Sequence, residues 1–231
     1  MWVTYPELTS HVKKVLEACL VPSGCIDDGA ELVAWGEAMG LGGLKDLYAH
    51  LPRLEQSEYP SIYIQRNTCI DGNRNSGLII SRLIFDEILC KQPSIQGEPI
   101  ALTRCLPALS MMENVRRAAK RGCQAEIYIP ADYPNVHVMT ALNEDEIFAF
   151  TLKLSEVNQL LFEKGISCLF NISKNNQETK SRIKVLNNKT SAYFLTSKDI
   201  KIKEARLKNK GVYVDKWLWK VLDEKGKQAL V

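Results

Sequence analysis

The sequence predicts an α+β protein, with an N-terminal helical subdomain beside a small, mainly antiparallel sheet that carries helices on one side. Three observations point there. The first 55 residues repeat apolar side chains at helical spacing, residues 76–91 form a strongly apolar helix candidate, and residues 124–152 hold short runs with the two-residue period of strands. With 231 residues, 45% of them hydrophobic and 25% charged, the chain has the proportions of a folded globular protein, which excludes disordered, collagen-like and coiled-coil classes. No apolar run approaches the roughly 18 residues that span a bilayer. Met1 to Pro6 has neither the basic nor the apolar region of a secretory signal, so a cytoplasmic location is expected.

Taken in order, Thr4 reads as a helix N-cap, with Pro6 in the first turn and Glu7 completing a capping box. Leu8, Val12, Val15, Leu16 and Cys19 then recur at helical spacing. Val21 to Gly24 break this helix, and a second is expected from Asp27 or Asp28 through Met39, its first turn made favourable by Asp27, Asp28 and Glu31. Gly40-Leu41-Gly42-Gly43 reads as a C-cap and tight turn, because it follows a helix rather than a strand and lacks the Gly-Lys-Ser/Thr ending of a phosphate loop. A third helix follows to about Leu54, with Pro52 near its end.

Ser61–Gln65 alternates like a strand, and Asp71-Gly72-Asn73 is a turn signal. The helix over 76–91 presents Leu78, Ile79, Ile80, Leu83, Ile84, Ile88 and Leu89. Ile100–Leu102 reads as a strand and 111–121 as a helix. Residues 124–129 and 136–141 read as a hairpin, followed by a strand over Ile147–Leu152 and a helix from Ser155 to Lys164. Residues 173–190 read as an exposed polar loop or linker. The end holds a short strand at Tyr193-Phe194, a lysine-rich stretch, and a helix near Val214–Leu222 that presents Trp217, Leu218 and Val221.

Residues 1–172 therefore form one α+β domain with 1–55 as its helical part, and 173–231 form a basic extension docking on that body. The charge supports this division: the last 59 residues carry 15 Lys and Arg against 6 Asp and Glu, whereas the first 172 carry 15 against 21. A cationic tail suits a nucleic-acid or acidic partner. A solvated lysine face is the simpler account, and although Trp217 and Trp219 interleave with Lys216 and Lys220, no RNA-binding motif is present.

Seven cysteines, with no Cys-x-x-Cys among them, fit neither a disulfide framework nor a zinc site. Of the three histidines, His11, His50 and His137, none has ligand spacing with another. His50 follows Asp46 at i+4 on one short helix, a spacing at which a carboxylate can orient an imidazole as a general base requires. Asp46 and His50 are accordingly the candidate catalytic pair. The acids Asp132, Glu144, Asp145 and Glu146 cluster near strand ends, where solvation is their ordinary fate. There is no nucleophile elbow and no kinase signature, so serine-nucleophile and phosphoryl-transfer chemistry have no support.

The run from Glu7 to Leu54, with Ala30-Glu31-Leu32-Val33-Ala34-Trp35, then Gly40, Gly43 and Leu51-Pro52-Arg53, resembles the opening helices of the malate/L-lactate dehydrogenase-like oxidoreductases. Ile70-Asp71-Gly72 and the 76–91 helix extend the likeness. Those enzymes use NAD(P) to reduce 2-oxo acids or cyclic imines, and their opening ends in Asp-Ser-His-Gly, whose histidine belongs to the active site. Aligned on Leu51-Pro52-Arg53, this chain has Leu44-Lys45-Asp46-Leu47 there, with Asp46 in the histidine position. The second motif of those enzymes, Asn-His-Phe-Gly, has no counterpart. Over its whole length the chain also resembles a family of bacterial proteins without an established activity, through Trp35 to Gly40, Thr196-Ser197 and Arg206.

The resemblance implies a cytoplasmic protein of small-molecule metabolism, related to those oxidoreductases but without their redox chemistry, since the histidine proton donor is gone. Such a protein binds a small carboxylate or a metabolic protein partner, needs no cofactor, touches no membrane, and is compatible with a homodimer. The alternatives are an active NAD(P)-dependent oxidoreductase using Asp46 and His50 as acid and base, and a nucleic-acid-binding protein using the basic C-terminal quarter.

Overall fold

The computed structural model describes residues 1–56, 63–66, 69–90, 99–153, 155, 166–174, 177–189 and 193–228. Helix α1 (Tyr5–Ala18) opens with the expected capping box: the Thr4 hydroxyl accepts from the Glu7 amide at 3.2 Å, and the Glu7 carboxylate accepts from the Thr4 amide at 2.7 Å. Leu8, Val12, Val15 and Leu16 form its buried stripe. Helix α2 (Ser23–Ala38) begins a turn earlier than the acidic residues suggest, with Pro22 at its N-cap. Asp27 and Asp28 thus lie beyond the first turn and serve ion pairs instead, with Lys13 and Arg82.

Gly40 and Gly42 adopt φ of 72° and 77° and turn the chain into α3 (Gly43–Leu54), which contains Pro52 in its last turn. A Cβ on Gly43 would strike the carbonyl of Val33 and the amide of Glu37, so α2 and α3 meet backbone to backbone at this point.

The sheet has eight strands: β2 (Tyr63–Arg66), β3 (Cys69–Asp71), β4 (Ile100–Thr103), β5 (Gln124–Pro130), β6 (Asn135–Ala141), β7 (Ile147–Lys153), β8 (Ile166–Ser173) and β9 (Tyr193–Thr196). Their order is β2-β3-β4-β8-β5-β6-β7-β9, larger than the small sheet expected. Only β3 and β4 pair in parallel; the other described pairings are antiparallel. The parallel pair needs a crossover, and α4 (Gly77–Cys90) supplies it. The hairpin β5–β6 and the strand after it follow the alternation of the sequence. Strand β8, inserted between β4 and β5, is a central element that the sequence reading omits. The expected helix over Ser155–Lys164 lies outside the described residues beyond Ser155.

Alternation along the strands separates two cores. Ile127, Ile129, Met139, Ala149 and Phe170 face the helical layer, whereas Tyr128, Val138, Phe150 and Leu152 face the other way. Residues 173–190 are not a loop. They contain α6 (Gln177–Lys189), which lies over this second face, so the helices are not confined to one side of the sheet. Leu186 joins the second core, and Arg182 donates to the buried Glu126 of β5 at 2.8 Å through a terminal guanidinium nitrogen.

On the helical side, Leu83 of the expected apolar stripe is 44% exposed while its neighbour Arg82 is buried. Arg82 donates to Asp28 at 2.6 Å and to Glu113 at 3.3 Å. Glu113 opens α5 (Glu113–Lys120), which follows a 3₁₀ turn over Leu109–Met112. Arg116 and Arg117 of the same helix also grip Glu113, at 2.8 and 2.9 Å. Burial raises the Glu113 carboxyl pKa and the three guanidiniums oppose that rise.

The chain then runs through α7 (Ser197–Lys210), capped by Thr196 and Asp199, into β10 (Val212–Tyr213) and α8 (Lys216–Lys227). Strand β10 pairs antiparallel with β1 (Trp2–Val3), and the Met1 ammonium donates to the Val214 carbonyl at 2.7 Å. Gly211, at φ 73°, lies so close to the Val3 carbonyl that a side chain would collide with it. In α8 the inward residues are Leu218 and Leu222. Trp217, expected to dock, is 62% exposed, and Trp219 instead stacks on His11 with ring centroids 3.9 Å apart. No described helix is long and apolar enough to cross a membrane.

Candidate functional site

The site is built around the start of α3. The Glu37 carboxylate of α2 accepts from the Leu44 amide at 2.9 Å, satisfying one of the free N–H groups of the helix start. One turn on, Asp46 Oδ2 accepts from the Ser110 amide at 3.1 Å and the Ser110 hydroxyl at 2.8 Å. Ser110 lies in the 3₁₀ turn before α5, so Asp46 caps that turn from another helix, and Ser110 fits there because Gly36 beneath it has no side chain. Burial pushes the Asp46 carboxyl up to about 6, against the pull of the Ser110 bonds and aided by the charge of Glu37.

His50, one further turn along, is buried and faces elsewhere. Its Nδ1 lies 2.6 Å from Ser76 Oγ, and its Nε2 lies 3.3 Å from the Pro107 carbonyl. A carbonyl only accepts, so Nε2 carries the proton and Nδ1 accepts from the Ser76 hydroxyl. Ser76 Oγ in turn accepts from the Leu78 amide at 3.1 Å at the start of α4. Burial pushes the His50 pKa down to about 4, so the ring is neutral at pH 7. Both ring nitrogens therefore engage groups other than Asp46. The two candidate residues hold the two ends of the same segment, Pro107 to Ser110.

That segment is one wall of a cleft of about 520 Å³. Asp46, Pro107, Ala108 and Leu109 line it on one side. The β5–β6 hairpin adds Ile129 to Asp132, Asn135 and His137, and β7 adds Thr151. His137 Nδ1 lies 3.0 Å from Thr151 Oγ1, and the ring meets Phe194 edge to face. Desolvation lowers its pKa, opposed by Asp132. Among the described residues the lining contains two carboxylates, a hydroxyl, an amide and an imidazole, and neither Lys nor Arg. His50 is not part of it.

The sequence reading placed Asp46 among the candidates but not His137, Asp132, Asn135 or Thr151. The available signal was weak: Asn135 and His137 alternate with Val136 and Val138, so they share the opposite strand face. Of the other loop acids, Asp145 pairs with Lys201 and Glu146 accepts from Asn143. Among the described residues no group of three or more His, Cys, Asp or Glu could hold a metal ion. Cys19 and Cys25 are buried and free, and burial raises the Cys19 thiol to about 11.

Residues 3–77 match the family described as "Protein of unknown function (DUF3726)". No curated protein matches the sequence. Solved structures match over nearly the whole chain. A dehydrogenase from Sinorhizobium meliloti superposes with a TM-score of 0.71 at 12% identity, covering 98% of this chain and 99% of its own. Malate dehydrogenase from Pyrococcus horikoshii OT3 gives 0.72 at 13% identity, covering 100% and 96%. Δ1-piperideine-2-carboxylate reductase from Pseudomonas syringae pvar. tomato gives 0.65 at 11% identity, covering 97% and 99%. The fold is therefore malate/lactate dehydrogenase-like, and the expected likeness to a family without an established activity is found over residues 3–77.

Proposed function

We propose that this chain is a small-molecule-binding protein of cytoplasmic metabolism, built on the dehydrogenase-like fold without its redox chemistry, and that the cleft beside Asp46 is its ligand site. One observation carries the proposal. Asp46, which the sequence resemblance aligns with the active-site histidine of the dehydrogenase-like motif, stands in the wall of a cleft with Asp132 and His137. A concave site with apolar walls and a few convergent polar groups is the usual form of a ligand site.

The dinucleotide that the fold family implies does not fit this lining. Its pyrophosphate is anionic, and nucleotide sites meet it with cations or free helix N-termini. Among the described residues the lining offers Asp46 and Asp132, no Lys or Arg, and a 3₁₀ turn whose amide at Ser110 is already taken by Asp46. An oxidoreductase that used Asp46 and His50 together would need His50 to leave Ser76 and Pro107.

A thermal-shift screen with NADH, NADPH, FAD and panels of 2-oxo acids, imino acids and amines tests the proposal. A ligand present at 100 times its dissociation constant stabilises the fold by about 2.7 kcal/mol, enough to read easily. The expected result is no response to nucleotides and a response to one class of small molecule, lost in Asp46→Asn. A rise in melting temperature specific to NADH or NADPH overturns the proposal in favour of the oxidoreductase reading.

A further inference from the structure

This inference rests on the cleft being a ligand site and concerns what the site selects. Among the described residues that line the cleft, the charged groups are carboxylates, while Lys153, opposite Asn135 in the β6–β7 ladder, is exposed and stands outside the lining. From α3 comes Asp46, from α2 behind it Glu37, and from the β5–β6 hairpin Asp132. Lys45 on α3 is exposed and is not part of the lining. His137 is half-buried, and desolvation lowers its pKa below the usual imidazole value, with Asp132 opposing that shift. Thr151 and Asn135 add neutral polar atoms, and Ile129, Pro130, Pro107 and Leu109 supply apolar wall.

A carboxylate ligand entering this space would approach two carboxylates with no Lys or Arg among the described lining residues to offset them, at a cost that grows as water is displaced. A protonated amine meets the opposite situation, because its charge replaces the solvent that Asp46 has lost. We propose that the cleft binds a small aliphatic molecule through a protonated amine held by Asp46 and Asp132, with its carbon chain against Pro107, Leu109, Ile129 and Pro130.

The burial of Asp46 gives the proposal a pH signature. With its carboxyl raised to about 6, Asp46 is mostly neutral at pH 5 and mostly charged at pH 7.5. An aliphatic amine is cationic throughout that range. Amine affinity therefore rises with pH, approaching about tenfold per pH unit below 6 and levelling above 7, and binding near pH 6 releases a proton from Asp46. Neutral molecules of the same shape show no such rise.

The test is an amide NMR titration of the whole chain with n-butylamine and putrescine, against butyrate and n-butanol, at pH 5, 6 and 7.5. The expected result is that the amines shift the amides of Ala108 to Ser110 and Ala131 to His137, at least fivefold more tightly at pH 7.5 than at pH 5. Asp132→Asn, a change on an exposed turn, should weaken the amines severalfold, and Asp46→Asn should reduce the pH dependence to the part that His137 contributes. The proposal is overturned if butyrate or butanol binds the cleft as tightly as the amines, or if Asp132→Asn leaves amine binding unchanged; the ligand-site reading then survives. If no probe from any class moves these amides, both fall.

Discussion

The two faces of the sheet are held in different ways. On the helical face, α1 to α5 and α8 bury a continuous apolar layer, and where backbones approach closely, as at Gly43, a glycine makes the contact. On the other face, among the described residues, the lysine- and asparagine-rich helix α6 covers a small core and is tied down by Arg182 to a carboxylate that is 1% exposed. A broad apolar stripe carries its own driving force. A sparse one depends on one buried pair, whose loss leaves an uncompensated charge.

Three perturbations separate these modes, in decreasing order of expected effect. Gly43→Ala forces α2 and α3 apart at the backbone and should cost above about 3 kcal/mol, seen as a fall in urea midpoint or as loss of soluble protein. On the α6 face, Arg182→Ala should cost about 3 kcal/mol at pH 7. Burial raises the Glu126 pKa, and losing Arg182 raises it further. A carboxyl whose folded pKa lies above its unfolded value contributes stability below the unfolded pKa and loses it as pH rises through the folded one, so the deficit should shrink toward pH 5. A deficit that stays constant with pH would show that packing, not charge, holds α6.

The smallest effect lies within α3. Asp46 is raised from 3.8 to about 6, so its contribution is present below pH 3.8 and lost as pH climbs through 6. His50 is lowered from 6.5 to about 4, so its contribution is present above 6.5 and lost as pH falls through 4. Each amounts to about 2 to 3 kcal/mol over nearly the same window with opposite sign. The two contributions therefore oppose each other between pH 4 and 6, and removing either one exposes the other, measured by urea unfolding relative to the wild-type chain. Asp46→Asn should leave a fall toward acid, and His50→Gln a rise.

Much of the helical face is legible in the residues because its signals are local. The capping box at Thr4 and Glu7, the stripe of α1 and the glycine turn before α3 each need only a few neighbouring positions. Strands β5, β6 and β7 declare themselves by alternation. Helix α6 does not, since Ile183 and Leu186 are the only apolar residues it buries, among four lysines and arginines in the same helix. Strand β8 carries Asn171 and Ser173 on its α6 side, polar residues opposite Glu126 and Gln124. Their purpose exists only once the strands have paired. The ionic cluster at Glu113 is hidden for the same reason, as its partners come from α2, α4 and α5. In the site, Asp46 is reachable by alignment to a dehydrogenase-like motif, whereas His137 and Asp132 reach the cleft through a hairpin more than 80 residues away.

The pairing of β1 with β10, with α8 laid along α1, gives the helical layer a place in time as well as in space. Helix α1 leaves the ribosome roughly 200 residues before Leu218 and Leu222, which pack on the same apolar core. The layer therefore closes late in synthesis, and until then α1 must stay partly uncovered, so its sparing content of exposed apolar side chains is a requirement of how the chain is made.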